Sequence, residues 1–238
     1  MVPTEYNFAA SFAFQPIVDV ESQKVFAYEA LVRGRSNEPA ASVFAALQSS
    51  ELHAFDRAAR VQAIKLAAAL GLDTGLSLNF LPQALETMPD AISSTIDAAR
   101  AAGLSERKIF LEVTEGELIR DPAGFSVTIN QYRASGIHLA IDDFGAGQSG
   151  LNLLADFQPD VIKIDMHLVR SIDSKGPRQA IVRAVIQACD DLGIEVIAEG
   201  IETAPEYQWF KRAGIRLFQG YLFGRPAFEC LSVPMFPG

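Results

Sequence analysis

The sequence predicts an α/β protein, a (β/α)8 barrel rather than an open sheet, and three observations carry that expectation. Eight short apolar runs of strand length alternate with stretches of helical period. The chain has 238 residues and is 49% hydrophobic, a size at which α/β barrels often form one domain around a full core. Nearly every expected strand also delivers a charged or amide side chain at or near its carboxyl end, where barrel chemistry gathers.

In chain order, residues 12–18 alternate loosely and carry β-branched side chains, which gives a first strand. Residues 25–32 form the second, and the Glu21-Ser22-Gln23 link is too short for a helix, so these two pair antiparallel. A helical period follows over 40–70, broken near 51–55. Residues 76–78 are a strand ending at Asn79, and 82–103 are helical with a break at Met88-Pro89. Strands at 108–113 and 138–141 flank a helix over 125–135 that Gly136 stops. The helix expected over 151–157 ends before Pro159, and 161–164 is again a strand. Residues 177–192 make a strong helix, with Pro at its start and Gly193 at its end. A strand at 195–198, a helix at 205–213 closed by Gly214, and a last strand at 216–218 complete the count. No linker, repeat or low-complexity segment divides the chain.

Charge and composition narrow the function. A net charge of −9 argues against a surface built for a nucleic-acid polymer. Cys189 and Cys230 have neither metal-ligand spacing nor a disulfide framework. His53, His138 and His167 stand alone. The first residues lack the basic head and apolar run of a signal peptide. The most apolar stretch, around 64–72, is too short to span a membrane, and a cytoplasmic setting is expected.

The strand ends supply the chemistry: Asn79, Glu112, Asp142 with Asp143, Lys163 with Asp165, Glu199 and Gln219, with Glu29 inside the second strand. Singly, each has an ordinary structural reading. Asp143 could cap a helix, Asn79 could sit in a turn, and Lys163 could be a barrel lysine neutralised by Asp165. Together at one end of one barrel their carboxylates would repel strongly. Hard oxygen ligands without His or Cys select Mg²⁺ or Mn²⁺ over zinc. The number of acids exceeds what one ion needs and suits a pair about 3.5–4 Å apart, a standard device for in-line attack on a phosphodiester. A competing motif, Gly145-Ala146-Gly147-Gln148-Ser149-Gly150, matches GxGxxG after a strand. The adjacent Asp142 and Asp143 would repel a pyrophosphate, and the motif falls past the midpoint of the chain, so nicotinamide binding is not expected.

Several ordered motifs resemble one family. Tyr28-Glu29-Ala30-Leu31-Val32-Arg33 carries the EAL signature, preceded by Phe14-Gln15-Pro16-Ile17-Val18-Asp19. Further on come Glu112-Val113-Thr114-Glu115, Asp142-Asp143-Phe144-Gly145 and Ile162-Lys163-Ile164-Asp165. The last are Ala198-Glu199-Gly200-Ile201-Glu202 and Gln219-Gly220-Tyr221-Leu222-Phe223-Gly224. This set resembles the EAL-domain cyclic di-GMP phosphodiesterases from about residue 12 to 226. The resemblance implies a modified TIM barrel whose first strand runs against the rest. It also implies two Mg²⁺ or Mn²⁺ ions and hydrolysis of cyclic di-GMP to linear 5′-pGpG.

By motif position, the resemblance implies that Glu29, Asn79, Glu112 and Asp142 hold one metal. Asp142 and Asp143 serve the second, with Glu199 beside it as ligand or base. Lys163 orients and activates the water, and Gln15, Arg33, Asp165 and Gln219 contact the ligand or support the site. Glu115 steadies the Asp-Phe-Gly loop, which in the family links metal binding to dimerisation. A homodimer is therefore expected, with any sensory or cyclase domain outside this chain. The expected division is an extension over 1–11 and one barrel over 12–238. Gln148 and Gly34 depart from the family's frequent aromatics at those positions, which bears on loop packing and the ligand floor. The main alternative is a cyclic di-GMP receptor of the same fold that does not hydrolyse it; a barrel metalloenzyme acting on another phosphodiester is a third.

Overall fold

Period-two alternation inside short strands requires each strand to bury two different faces, and a closed barrel provides them: an interior and an outer ring of helices. The computed structural model describes residues 10–118, 122–147, 154–155 and 158–237. Its strands are β1 (Ala10–Asp19), β2 (Lys24–Gly34), β3 (Gly75–Asn79), β4 (Ile109–Thr114), β5 (His138–Phe144), β6 (Val161–Ile164), β7 (Glu195–Ala198), β8 (Leu217–Gln219) and β9 (Ala227–Phe228). Strands β2 to β8 pair in order and in parallel. β1 closes the ring by pairing antiparallel with both β2 and β8. The architecture is thus the modified barrel expected, with the first strand reversed.

The reversal follows from the β1–β2 link. Asp19 Oδ1 accepts the Glu21 and Ser22 amides at 2.9 and 3.2 Å, an Asx-type turn that sends the chain straight back. The short β9 was not anticipated; it pairs with β1 at Ala13 and Phe14, and its two residues are too few to show a period.

Helices α1 (Ala40–Ala45), α2 (Leu52–Ala69), α3 (Ala84–Thr87), α4 (Ala91–Ala101), α5 (Glu115–Leu118), α6 (Pro122–Arg133), α7 (Met166–Val169), α8 (Gly176–Leu192) and α9 (Ala204–Arg212) surround the strands. The break expected near 51–55 lies earlier: Gln48 and Glu51 reciprocally cap a 3-10 turn over Ser49–Glu51, and α2 runs on from it at Leu52. Pro122 opens α6 three residues before the expected start, its missing N–H costing nothing in the first turn. Thr203 and Glu206 make a capping box for α9. Of the helix expected over 151–157, only 154–155 lie among the described residues and are helical; the rest of that expectation, with Gln148, lies outside them.

The two strand faces fill differently. Ile162 and Ile164 of β6 belong to the outer core under the helices, whereas Val161 packs inside with Ile17, Ala27, Phe110, Ala140, Ile197 and Leu217. These seven form an apolar floor within the barrel. The next inward position on each strand, two residues further toward the mouth, is polar in every case.

Candidate active site

Alternation places one polar side chain per strand above that floor: Glu29, Ser77, Glu112, Asp142, Lys163, Glu199 and Gln219. On β1 the step runs backwards, from Ile17 to Gln15, because that strand is reversed. Lys163 is fully buried at the centre. Its Nζ lies 3.3 Å from Glu29 Oε2, 3.2 Å from Glu112 Oε1, 3.0 Å from Asp142 Oδ1 and 3.6 Å from Glu199 Oε2. The ordinary reading of Lys163 as a partner of Asp165 therefore fails; three carboxylates from β2, β4 and β5 and a fourth just past β7 share it.

The remaining members of the layer support these acids. Ser77 Oγ donates to Glu112 Oε1 at 2.6 Å. Gln219 Nε2 donates to Glu29 Oε2 at 2.6 Å and reaches Gln15 Oε1 at 3.5 Å, while Gln15 Nε2 donates to the Gly224 carbonyl at 3.1 Å. Ser77 was not singled out from the sequence. Its position in Leu76-Ser77-Leu78-Asn79, two before a rim amide on the same face, was the available signal.

β5 runs on through both aspartates to Phe144 instead of ending at Ile141. The reason is an irregularity in its pairing with β6 between Ile141 and Phe144, at which Asp143 adopts φ 54°. Such a bulge re-aims adjacent side chains. Asp142 turns into the layer, and the more exposed Asp143 stands close enough to Asp165 to feel its charge. Asp165 in turn caps α7, accepting the His167 amide at 2.8 Å. Asn79 sits exposed at the end of β3, in register with Glu112. Arg33, the last residue but one of β2, lines with Asn79 and Thr114 a pocket of about 270 Å³ whose walls are otherwise mostly apolar side chains of β2, β3, α1 and α2 and which includes none of the four acids around Lys163.

The loop after β5 is tied down by Glu115, 1% exposed. Its Oε2 accepts the Gly145 and Gly147 amides at 3.1 and 3.2 Å. A Cβ at Gly147 would sit 2.6 Å from Glu115 Oε1, so that glycine is required by close approach. The first two glycines of the GxGxxG match thus direct their N–H groups at a carboxylate of the protein, which leaves neither amide to cradle a pyrophosphate.

Electrostatics show how crowded the layer is. Burial, opposed by Lys163 and aided by the Glu29 and Asp142 charges, pushes Glu112 up to about 8. Burial also raises Glu199 well above the ordinary range. At Asp142 burial works in the same direction, but the Lys163 ammonium outweighs it and holds this acid below its usual value. Asp143 is raised by burial and by the Asp142 and Asp165 charges. Lys163, despite burial, is held well above its normal value by the four acids.

A divalent cation fits this set. Glu29, Glu112 and Asp142 each offer an oxygen within 4.8 Å of the others. Glu112 Oε2 is buried with no hydrogen-bond partner, which in a folded protein marks a place that something else satisfies. The available donors are carboxylate and amide oxygens, those that Mg²⁺, Mn²⁺ and Ca²⁺ prefer. Among the described residues no helix is long and apolar enough to cross a membrane.

Comparison with known proteins agrees with this geometry. A family model described as EAL domain matches residues 7–226. The chain is 41% identical over 215 residues to the blue light- and temperature-regulated antirepressor BluF of Escherichia coli, covering 90% of this chain and 53% of that protein. It therefore spans about half the length of this curated relative. Among solved structures, a manganese/cyclic di-GMP complex of Klebsiella pneumoniae BlrP1 at pH 9.0 is 43% identical with a TM-score of 0.90, over 96% of this chain and 59% of that one. A standalone versatile EAL protein from Vibrio cholerae O395, in its c-di-GMP bound form, is 43% identical with a TM-score of 0.91 over 97% of both chains.

Proposed function

This chain belongs to the EAL-domain family, and from that premise we propose that it hydrolyses cyclic di-GMP to linear 5′-pGpG with two divalent cations, Mg²⁺ or Mn²⁺. The observation that carries the reading is the shared layer of acids around Lys163. Glu29, Glu112, Asp142, Asp143 and Glu199 bring five negative charges when ionised, and Lys163 offsets one. Two divalent cations neutralise the remaining four.

Glu29, Asn79, Glu112 and Asp142 would hold the first cation, and Asp142 and Asp143 the second, with Glu199 beside it as ligand or base. When bound, the cations would supply positive charge for the phosphodiester and lower the pKa of the attacking water. Lys163 donates hydrogen bonds that orient that water, and Glu199 accepts its proton. Attack at phosphorus breaks the bond to the 3′-oxygen, leaving a 5′-phosphate and a free 3′-hydroxyl. Arg33 pairs with phosphate, the Gln15 and Gln219 amides face the ligand, and Asp165 holds Asp143 in place. Glu115 fixes the loop next to the acids. The assembly we propose is a homodimer of single barrels, each preceded by a short extension, with any sensory or cyclase domain outside this chain.

Incubation with cyclic di-GMP and Mg²⁺ or Mn²⁺ should yield pGpG; EDTA should stop the reaction and either cation restore it. Glu29→Ala and Asp142→Asn should each lower turnover by at least about 100-fold. Unchanged turnover in either variant, or indifference to chelator, would sink the reading. A second reading is a barrel that binds cyclic di-GMP and acts through protein contact, which BluF's description as an antirepressor favours. Tight binding without pGpG would select it.

A further inference from the structure

Lys163 occupies the centre of the cluster that the cations would fill. Its Nζ is within 3.6 Å of oxygens from Glu29, Glu112, Asp142 and Glu199, and three of those four residues offer the oxygens that lie close enough to share an ion. We propose that Lys163 is the built-in counter-cation of the unloaded site, which holds the acids together without metal and is displaced from them when divalent cations bind. The inference rests on the two-cation reading above but concerns a different property, the affinity for metal.

The physical case is one of competition. Four carboxylates cannot stay buried side by side without a positive partner, and Lys163 is the only cation touching them among the described residues. A divalent ion centred on the same oxygens would meet the ammonium at close range, where like charges repel strongly in a poorly hydrated interior. Lys163 must therefore retreat from Glu29, Glu112 and Asp142. The direction of that retreat is toward the mouth, where Glu199 is the least buried of its four partners. The lysine thus trades one function for another: it preserves the fold of the empty site and weakens metal binding, and it turns to substrate water once loaded.

The test uses the full chain, Mn²⁺ or Mg²⁺ alone, and no substrate. Lys163→Met should bind Mn²⁺ at least about tenfold more tightly than the wild type by calorimetry. Its metal-free Tm should fall, and the fall should shrink or vanish with saturating Mn²⁺. A purely structural lysine would lower both Tm values equally. In parallel, the Lys163 ammonium signal of ¹⁵N-lysine-labelled wild type should shift on adding Mg²⁺, a measurement that does not depend on the variant folding. Equal or weaker Mn²⁺ affinity in Lys163→Met, or an ammonium signal unmoved by saturating Mg²⁺, would overturn this proposal while leaving the hydrolase reading intact. Absence of Mn²⁺ binding in both proteins would overturn the two together.

Discussion

At the scale of single residues, the behaviour of each acid depends on which donors reach it. Asp160 illustrates this away from the site. Its Oδ1 accepts Arg133 Nη2 at 2.8 Å and its Oδ2 the Leu139 amide at 2.8 Å. Burial works to raise this acid, but the His138 ring, the Leu139 amide and Arg133 prevail and hold it at about 2. A folded-state value below the unfolded one adds stability that is complete above the unfolded value and is lost as the pH falls through the folded value. Asp160→Asn should therefore cost about 1–2 kcal/mol at pH 7, allowing for partial exposure. The cost should narrow between about pH 4 and pH 2, as urea titrations of both proteins at several pH values would show. The same logic explains why the acids of the central layer differ among themselves: Asp142 is nearest Lys163, whereas Glu112 lies deeper with one oxygen unmatched. Residue identities on the inward face were legible in the sequence as an apolar position followed two later by a polar one. The bulge at Asp143 was not, because two adjacent acids look the same on a regular strand and on an irregular one.

At the scale of elements, the packing of α2 on α4 depends on one buried pair. Arg60, 2% exposed, donates to Thr95 Oγ1 at 3.0 Å and to the Ala91 carbonyl at 3.2 Å, and it pairs with Asp56 one turn earlier. Burial raises Asp56 even though Arg60 opposes it. Removing one partner of such a pair leaves a buried charge uncompensated, whereas replacing both with apolar groups is often neutral. Arg60→Met should cost about 3–5 kcal/mol, and adding Asp56→Leu should recover most of that loss. Equal stability of the single and double variants would contradict this account. The helix itself was legible from its period; its start was not, since α2 continues from a short 3-10 turn over Ser49–Glu51 and has no side-chain cap of its own to mark Leu52. Glu115 belongs to this scale as well. Its sequence motif suggested loop support, and the two glycine amides it receives give that support a geometry.

At the scale of the whole molecule, the barrel separates an apolar interior floor from an acidic mouth, so cation binding and folding are linked. An ion that binds the folded barrel and not the unfolded chain stabilises by mass action, about 2.7 kcal/mol at a hundredfold excess over its Kd. In a domain of this size each kcal/mol moves Tm by about 2–4 °C. Saturating Mn²⁺ should thus raise Tm by at least about 5 °C, and EDTA should reverse the rise. A Tm indifferent to Mn²⁺ in calorimetric scans would argue that the mouth takes no ion. The closed sheet was legible from the strand count, and the reversed first strand from a turn of three residues. The reversal also fixes where the polypeptide enters. In β1, Ala10 lies opposite Gly34 at the mouth, and Asp19 lies opposite Lys24 at the floor. A segment joined at Ala10 therefore enters at the mouth end of the barrel, the end from which a ligand must approach the acids. A tag spliced into the Asp19–Lys24 hairpin hangs from the far side, out of reach of that traffic.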